Sequence, residues 1–293
     1  GVNNTASANS SSAFGYFNTA GGLASSAFGW SNTASAENAS AFGYVNEASG
    51  LASSALGFRN KAANENASAV GYGNTAGGVA SSAFGFSNVA KVDYASAFGY
   101  SNEASGLASS AVGFRNKAAS ENASAVGYGN NANALAASAV GYNNTAGGVG
   151  SSTIGYNNTA TNENASAFGY GNTAGGLASS AFGFSNTASG DNANAFGYNN
   201  IASGSKSNVF GTGNTVSGSS STAVGTANEV AAENSTAIGN NNTISSGAEN
   251  SAALGNNISI SLKDSVALGN NSTATAINSV TGNSSYTKWA GVS

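Results

Sequence analysis

The chain contains no cysteine, histidine, methionine or proline, and only 7% of its 293 residues are charged. Without cysteine there is no disulfide framework and no thiolate metal site. Without histidine the commonest general base and the commonest metal ligand are both missing. The net charge is −4 and the pI is about 4.7, so no basic surface exists for a phosphate backbone and nucleic acid is excluded as a partner. No run of 18 or more apolar residues could cross a membrane as a helix. The chain opens at Gly1 with no charged-then-apolar targeting segment, as a mature form or an excised piece would. Low charge and many small residues suggest disorder, but disordered chains are poor in aromatics. Here 14 Phe, 11 Tyr and 2 Trp recur at regular positions, which points to an ordered fold.

What is present is a period. The anchor is a small residue (nearly always Ala), then an apolar residue, then Gly. Its glycines run from Gly15 to Gly239 in steps of 14, then Gly255 after 16 and Gly269 after 14 more: 19 anchors with one two-residue insertion, in "NNTISSGAEN". Fourteen residues are too few for a helical-hairpin repeat, and the Gly and Asn content would weaken any helix. Segments such as "ASAFG" and "NSTAIG" are short, partly alternating and flanked by Asn and Gly, as strands are. One unit therefore holds two short strands and two turns. That is one coil of an all-β parallel solenoid, with coils stacked at about 4.8 Å.

Stacking turns each repeat position into a column. Numbering positions from the anchor glycine as 0, the residue at −1 is Phe, Val, Leu or Ile in all 19 coils and is assigned to the core. Ala at −2, replaced only by Thr153 and Val209, is a close-packing column. Position +3 is Asn in 17 successive coils, Asn18 to Asn242, which suits an amide ladder along the axis and left-handed turn geometry. Position +1 is aromatic in 14 successive coils: Tyr16, Trp30, Tyr44, Phe58, Tyr72, Phe86, Tyr100, Phe114, Tyr128, Tyr142, Tyr156, Tyr170, Phe184 and Tyr198. This column has two readings, ring stacking that stiffens the solenoid or a binding stripe. Tyr outnumbers Phe nine to four in it, as expected if hydroxyls reach water or a partner. The candidate ligand-binding residues are accordingly Tyr44, Tyr72, Tyr100, Tyr128, Tyr142, Tyr156, Tyr170 and Tyr198.

Charge follows the same columns. Position +8 alternates apolar and acidic residues: Leu23, Glu37, Leu51, Glu65, Val79, Asp93, Leu107, Glu121. Alternation keeps like charges two coils apart, about 10 Å by strand spacing, roughly a Debye length. At +4, Glu47 precedes Lys61 by one coil and Glu103 precedes Lys117, two expected surface ion pairs each contributing under ~1 kcal/mol. Residues 39–73 and 95–129 match at 32 of 35 positions, four coils apart, so a four-coil block is duplicated. Duplication argues against a unique catalytic pocket.

Enzyme chemistry finds no foothold. Nucleophilic catalysis would need Ser with Lys or an acid, and no distinctive Ser/Lys motif occurs. The acids lie in regular surface columns and not as a pair across a cleft. Only three Asp occur, too few for Gly/Asp calcium repeats. "GYGNTAGG" has spaced glycines but neither the following helix nor the Lys of a phosphate loop. No catalytic residue, metal or cofactor is expected. An ice-binding solenoid is a rival, since +4 holds Thr19, Thr33, Thr75, Thr145, Thr159, Thr173 and Thr187. Glu47, Lys61, Val89, Glu103, Lys117 and Asn131 interrupt that lattice.

The last units, "NSTAIG" (234–239), "NSAALG" (250–255) and "DSVALG" (264–269), resemble the Asn-Ser-Val-Ala-Ile-Gly motif of trimeric autotransporter adhesins with YadA-like heads. The resemblance covers residues from about 9 to 274. It implies a left-handed parallel β-roll, assembled as a homotrimer and displayed on the outer membrane of a Gram-negative cell. It further implies attachment to host extracellular-matrix proteins or cell receptors, to other bacteria or to abiotic surfaces. Most units depart from the motif, reading "NASAFGY" with Ser in place of the motif's Val and an aromatic after the Gly. Residues 1–274 are expected to form the head. Residues 275–293, with "YTKWAGVS", resemble the start of a connector, the chain leaving the roll between Thr275 and Asn283. Stalk heptads and a membrane barrel are not in this sequence. The alternative class is a structural surface fibre without a specific ligand.

Overall fold

The computed structural model describes residues 1–276 and 279–281. Among them it is a parallel β-solenoid of 19 anchored coils without a helix. The chain divides into two compact units, Gly1–Gly150 and Ser151–Ser293. The first holds the anchors Gly15 to Gly141, the second Gly155 to Gly269.

Every coil is built alike. A five-residue strand spans −3 to +1, as in Ser166–Tyr170, and a two-residue strand spans +4 to +5, as in Thr173–Ala174. Within each unit, strands of neighbouring coils pair in parallel at equivalent positions. In the first unit Ser68, Ala69, Val70, Gly71 and Tyr72 face Ser82, Ala83, Phe84, Gly85 and Phe86. In the second Ser166 to Tyr170 face Ser180 to Phe184 in the same way. The inserted residues leave this register intact: Gly239 still faces Gly255 and Ile244 faces Ile260, so the extra length is absorbed in the turn between Ile244 and Ala252. Parallel stacking gives way at Thr273–Ala276, which pairs antiparallel with Ser279–Thr281. The expected exit between Thr275 and Asn283 and the connector after it fall mostly outside the described residues.

The first unit also contains an anchor before the 19. Gly1 occupies position 0 of a partial coil, with Val2 bridging Tyr16 and Thr5–Ala6 pairing with Thr19–Ala20. Gly1, Asn4, Thr5 and Ala6 match the 0, +3, +4 and +5 columns, and that spacing is the cue in the sequence.

The interior differs from the expectation in one important respect. No residue at −1 is buried. Phe98 is 37% exposed and Ile154 46%. The buried columns are Ala at −2 (Ala97, Ala167), Ala at +5 (Ala104, Ala174), Asn at +3, and alternating Ser and Ala at +10 (Ser109, Ala165). The physical reason is strand alternation. Successive side chains point to opposite faces, so if Ala at −2 points inward its neighbour at −1 points out. A 14-residue coil is also too narrow to hold a Phe between its two strands. Val216, Val230, Ile244 and Ile260 fill +5 only in the later coils of the second unit.

The Asn column replaces the missing hydrophobic bulk. Asn172 is fully buried. Its Nδ2 donates to Asn158 Oδ1 (3.0 Å), to the Phe168 carbonyl of its own coil (2.9 Å) and to the Gly183 carbonyl of the next (2.7 Å). Two hydrogens are thus shared among three acceptors. Its Oδ1 accepts from the backbone N–H and the Nδ2 of Asn186, at 2.9 and 3.1 Å, which uses both lone pairs. In the first unit the ladder starts at Asn4, which accepts from Asn18. In the second it ends at Ile258, whose N–H donates to Asn242 Oδ1 at 3.0 Å.

The left-handed backbone lies one residue earlier than expected, at +2 and not at the Asn. Val45, Arg59 and Ser185 have φ of 55°, 53° and 54°, and a second such corner occurs at +9, as at Asn38 (58°). The +2 column varies too much in residue type to announce its conformation. The anchor glycine is a different case. Gly169 has φ 117°, and a Cβ there would stand 2.1 Å from the Gly183 carbonyl oxygen, so no other residue fits.

Three stability outcomes follow. Asn172→Asp removes the Nδ2 donor and places a carboxylate against the Phe168 and Gly183 carbonyls; urea unfolding should show a loss of about 3 kcal/mol or more. Val45→Gly relieves a β-branched residue from left-handed backbone and should raise stability by about 1 kcal/mol, whereas Gly169→Ala should prevent the coil from closing.

Candidate functional site: the outward ladders

The outer face of the five-residue strand carries the residues at −3, −1 and +1. In the first unit the +1 rings stack continuously. Tyr44–Phe58 and Phe58–Tyr72 are 4.8 Å apart between centroids, Tyr72–Phe86 4.7 Å, Phe86–Tyr100 4.9 Å, Tyr100–Phe114 4.8 Å, Phe114–Tyr128 4.8 Å and Tyr128–Tyr142 4.7 Å. Their planes lie within 7° of parallel. In the second unit Tyr156–Tyr170, Tyr170–Phe184 and Phe184–Tyr198 stack at 4.9, 4.7 and 5.2 Å. The coil repeat dictates this, because equivalent residues of paired parallel strands sit one strand spacing apart.

All eight candidate tyrosines are on these ladders and all are exposed, from Tyr44 and Tyr100 at 39% to Tyr198 at 53%. Stacking consumes their ring faces. What they offer outward is ring edges and hydroxyls. The hydroxyls of Tyr44, Tyr72, Tyr100, Tyr128, Tyr170 and Tyr198 form no hydrogen bond with other described residues. Such a surface suits edge contacts and hydrogen bonds, not the ring-face stacking that planar ligands use.

A second ladder runs beside the first. At −1, Phe28 and Phe42 stack at 5.2 Å and Phe84 and Phe98 at 5.1 Å in the first unit. In the second, Phe168–Phe182, Phe182–Phe196 and Phe196–Phe210 stack at 4.7, 5.0 and 5.2 Å. The sequence reading placed these rings in the core and so missed that −1 and +1 form one outward apolar face. Ala at −2, combined with strand alternation, was the signal that could have found it.

The charged columns are surface features. Glu47 and Lys61 form an ion pair at 3.0 Å with both side chains about half exposed (44% and 49%). Of the two expected pairs it is the one that forms; Glu103 and Lys117 are register partners without one. The aspartates at +8 serve the backbone: Asp93 Oδ1 accepts from the Val79 N–H at 2.8 Å and Asp191 Oδ1 from the Leu177 N–H at 3.0 Å. Among the described residues no three His, Cys, Asp or Glu side chains group as metal ligands.

A parallel solenoid of 14-residue coils, with an Asn-filled interior and two outward apolar ladders, defines a class of repetitive surface scaffold. The family model of the YadA head domain repeat, two copies per match, fits residues 20–45, 48–74, 76–102, 104–130, 146–172, 174–200, 217–242 and 263–280. These segments make up well over half of the chain, and the chain belongs to the YadA head domain family. No curated protein matches it. Membership marks the chain as an adhesin-like surface protein of a non-enzymatic type.

The ring ladders should be measurable as stability. Tyr100 loses two stacked neighbours on mutation to Ala, and a drop of about 1–3 kcal/mol in denaturant unfolding is expected. No change would show that the stack is passive.

Proposed function

We propose that the chain is the head of a homotrimeric adhesin that holds a bacterial cell to host matrix proteins, host receptors, other bacteria or abiotic surfaces. The observation that carries this reading is the outward apolar face. In each unit every coil presents an apolar side chain at −1 to the outside of a single chain, and a ring at +1 stands beside it in every coil of the first unit and in the first four of the second. Soluble monomers rarely leave so continuous an apolar face uncovered. Three copies covering one another's −1 columns would bury it. Family membership supports the same assembly, with the roll left-handed and the head displayed outside the outer membrane on parts beyond this sequence.

On this reading the +1 ladder lies toward the rim of the covered face. Three chains then present long rows of equivalent hydroxyls and ring edges, and weak contacts add through effective concentration. The candidate contact residues remain Tyr44, Tyr72, Tyr100, Tyr128, Tyr142, Tyr156, Tyr170 and Tyr198.

Light scattering on the purified chain should give a trimer, and Phe98→Asp together with Phe182→Asp, which places charges on the −1 face, should shift it toward monomer. Replacing Tyr128, Tyr142, Tyr156 and Tyr170 by Ala tests the ladder. A folded trimer that has lost binding to collagen, fibronectin, laminin, cells, plastic or glass supports it. Undiminished attachment to all of them would remove the ladder as the contact surface and leave it a stiffening element.

A further inference from the structure

Half of the chain's eight Lys and Arg residues occur as two equivalent pairs, Arg59 with Lys61 and Arg115 with Lys117. Both pairs sit in the first unit, at +2 and +4 of coils anchored by Gly57 and Gly113. Each arginine lies at a left-handed corner (φ 53° and 52°). Each guanidinium is held over the +1 ring of its own coil, 5.2 Å from the Phe58 centroid and 5.1 Å from that of Phe114. The ring fixes the cation but satisfies none of its N–H donors. Among the described residues neither guanidinium has a hydrogen-bond acceptor or an ion-pair partner. An arginine fork that is oriented, exposed and unpaired is suited to a carboxylate or sulfate group.

Between Arg59 and Arg115 the +2 column holds Gly73, Ser87 and Ser101, so no side chain longer than Ser stands between the two guanidinia. The edges of Tyr72, Phe86 and Tyr100 border this track on one side, Thr75, Val89 and Glu103 on the other. The acids nearest in the column sense are Glu47, which is neutralised by Lys61, and Glu103, which faces Lys117. The unbalanced charge at each end is therefore the arginine. Four coils separate the two, about 19 Å at strand spacing.

We infer that the corner from Arg59 to Arg115 is a two-point binding track for a linear acidic polysaccharide, with carboxylate or sulfate groups at the two arginines and hydroxyls along Gly73, Ser87 and Ser101. The inference deepens the attachment-head reading, on which it rests, and places the contact at the arginine corner beside the tyrosine ladder. Duplication of the four-coil block supplied the second point. A trimer would carry three such tracks.

Biosensor binding of the purified chain to immobilised heparin, hyaluronan, neutral dextran and polyglutamate tests it, at low and at physiological salt. Heparin and hyaluronan should bind and dextran should not. R59A or R115A alone should weaken binding about tenfold, because losing one point loses the effective concentration of the second. The double variant should abolish it, and the affinity should fall steeply with salt. Ser87→Phe should weaken binding with no change in charge; Phe17 occupies the same coil position, so this variant folds. K206A should bind as wild type. Equal binding to dextran, an unaffected double variant, or polyglutamate binding as tightly as the glycans would each overturn the inference. Cell and surface attachment measured in parallel separates the two readings. Attachment without acidic-glycan binding sinks the track alone, and no attachment anywhere sinks the head reading with it.

Discussion

The fold depends on one interaction, the hydrogen bond that each buried asparagine donates to the one a coil before it. A 14-residue coil encloses almost no volume, and its interior holds Ala, Ser and Asn in place of large apolar groups. Two or three alanine methyls per coil contribute about 2 kcal/mol, comparable to one well-covered Phe. The amide ladder does what that thin core cannot. It ties each coil to the next through side chain and backbone together, as Asn172 does to Asn158 and Asn186. It also supplies donors to the carbonyls at −1 and 0, which the turn leaves pointing inward. Replacing the amide with a group of similar size would leave several buried polar atoms unpaired at once.

The same narrowness sends the bulk outward. Rings that cannot enter the coil stack along its outside at the strand spacing, so the ladders are a direct consequence of the repeat. A surface built this way is periodic and chemically mild, and its natural uses are covering by further copies and many-point contact. The charged residues follow the columns too, and among the described residues an arginine held over a Phe at a left-handed corner, at Arg59 and Arg115, gives the surface an oriented, unpaired cation.

Much of this was legible in the residues. The 14-residue spacing gave the coil, the strands and the stacking direction, and the unbroken Asn18–Asn242 column announced the ladder. The tyrosine column was found and proved to be stacked and exposed. The role of −1 was misjudged, because hydrophobicity alone assigns Phe98 and Phe168 to a core, while alternation against Ala97 and Ala167 puts them outside. Arg59 and Arg115 passed unnoticed because their importance rests on a ring contact and a backbone angle, and neither is visible in composition. The register of Glu103 with Lys117 was foreseen, but an exposed pair need not close, as the open one shows beside Glu47–Lys61.

The interior is held by a hydrogen-bonded amide ladder and not by a bulky apolar core. Residue-resolved hydrogen exchange tests it most directly. In the wild type the backbone N–H of Asn186, which donates to Asn172 Oδ1, should be among the slowest to exchange. In Asn172→Ala that same amide should lose its protection while amides several coils away keep theirs. Fast exchange at Asn186 in the wild type, or protection there that survives the loss of the Asn172 side chain, would contradict the account.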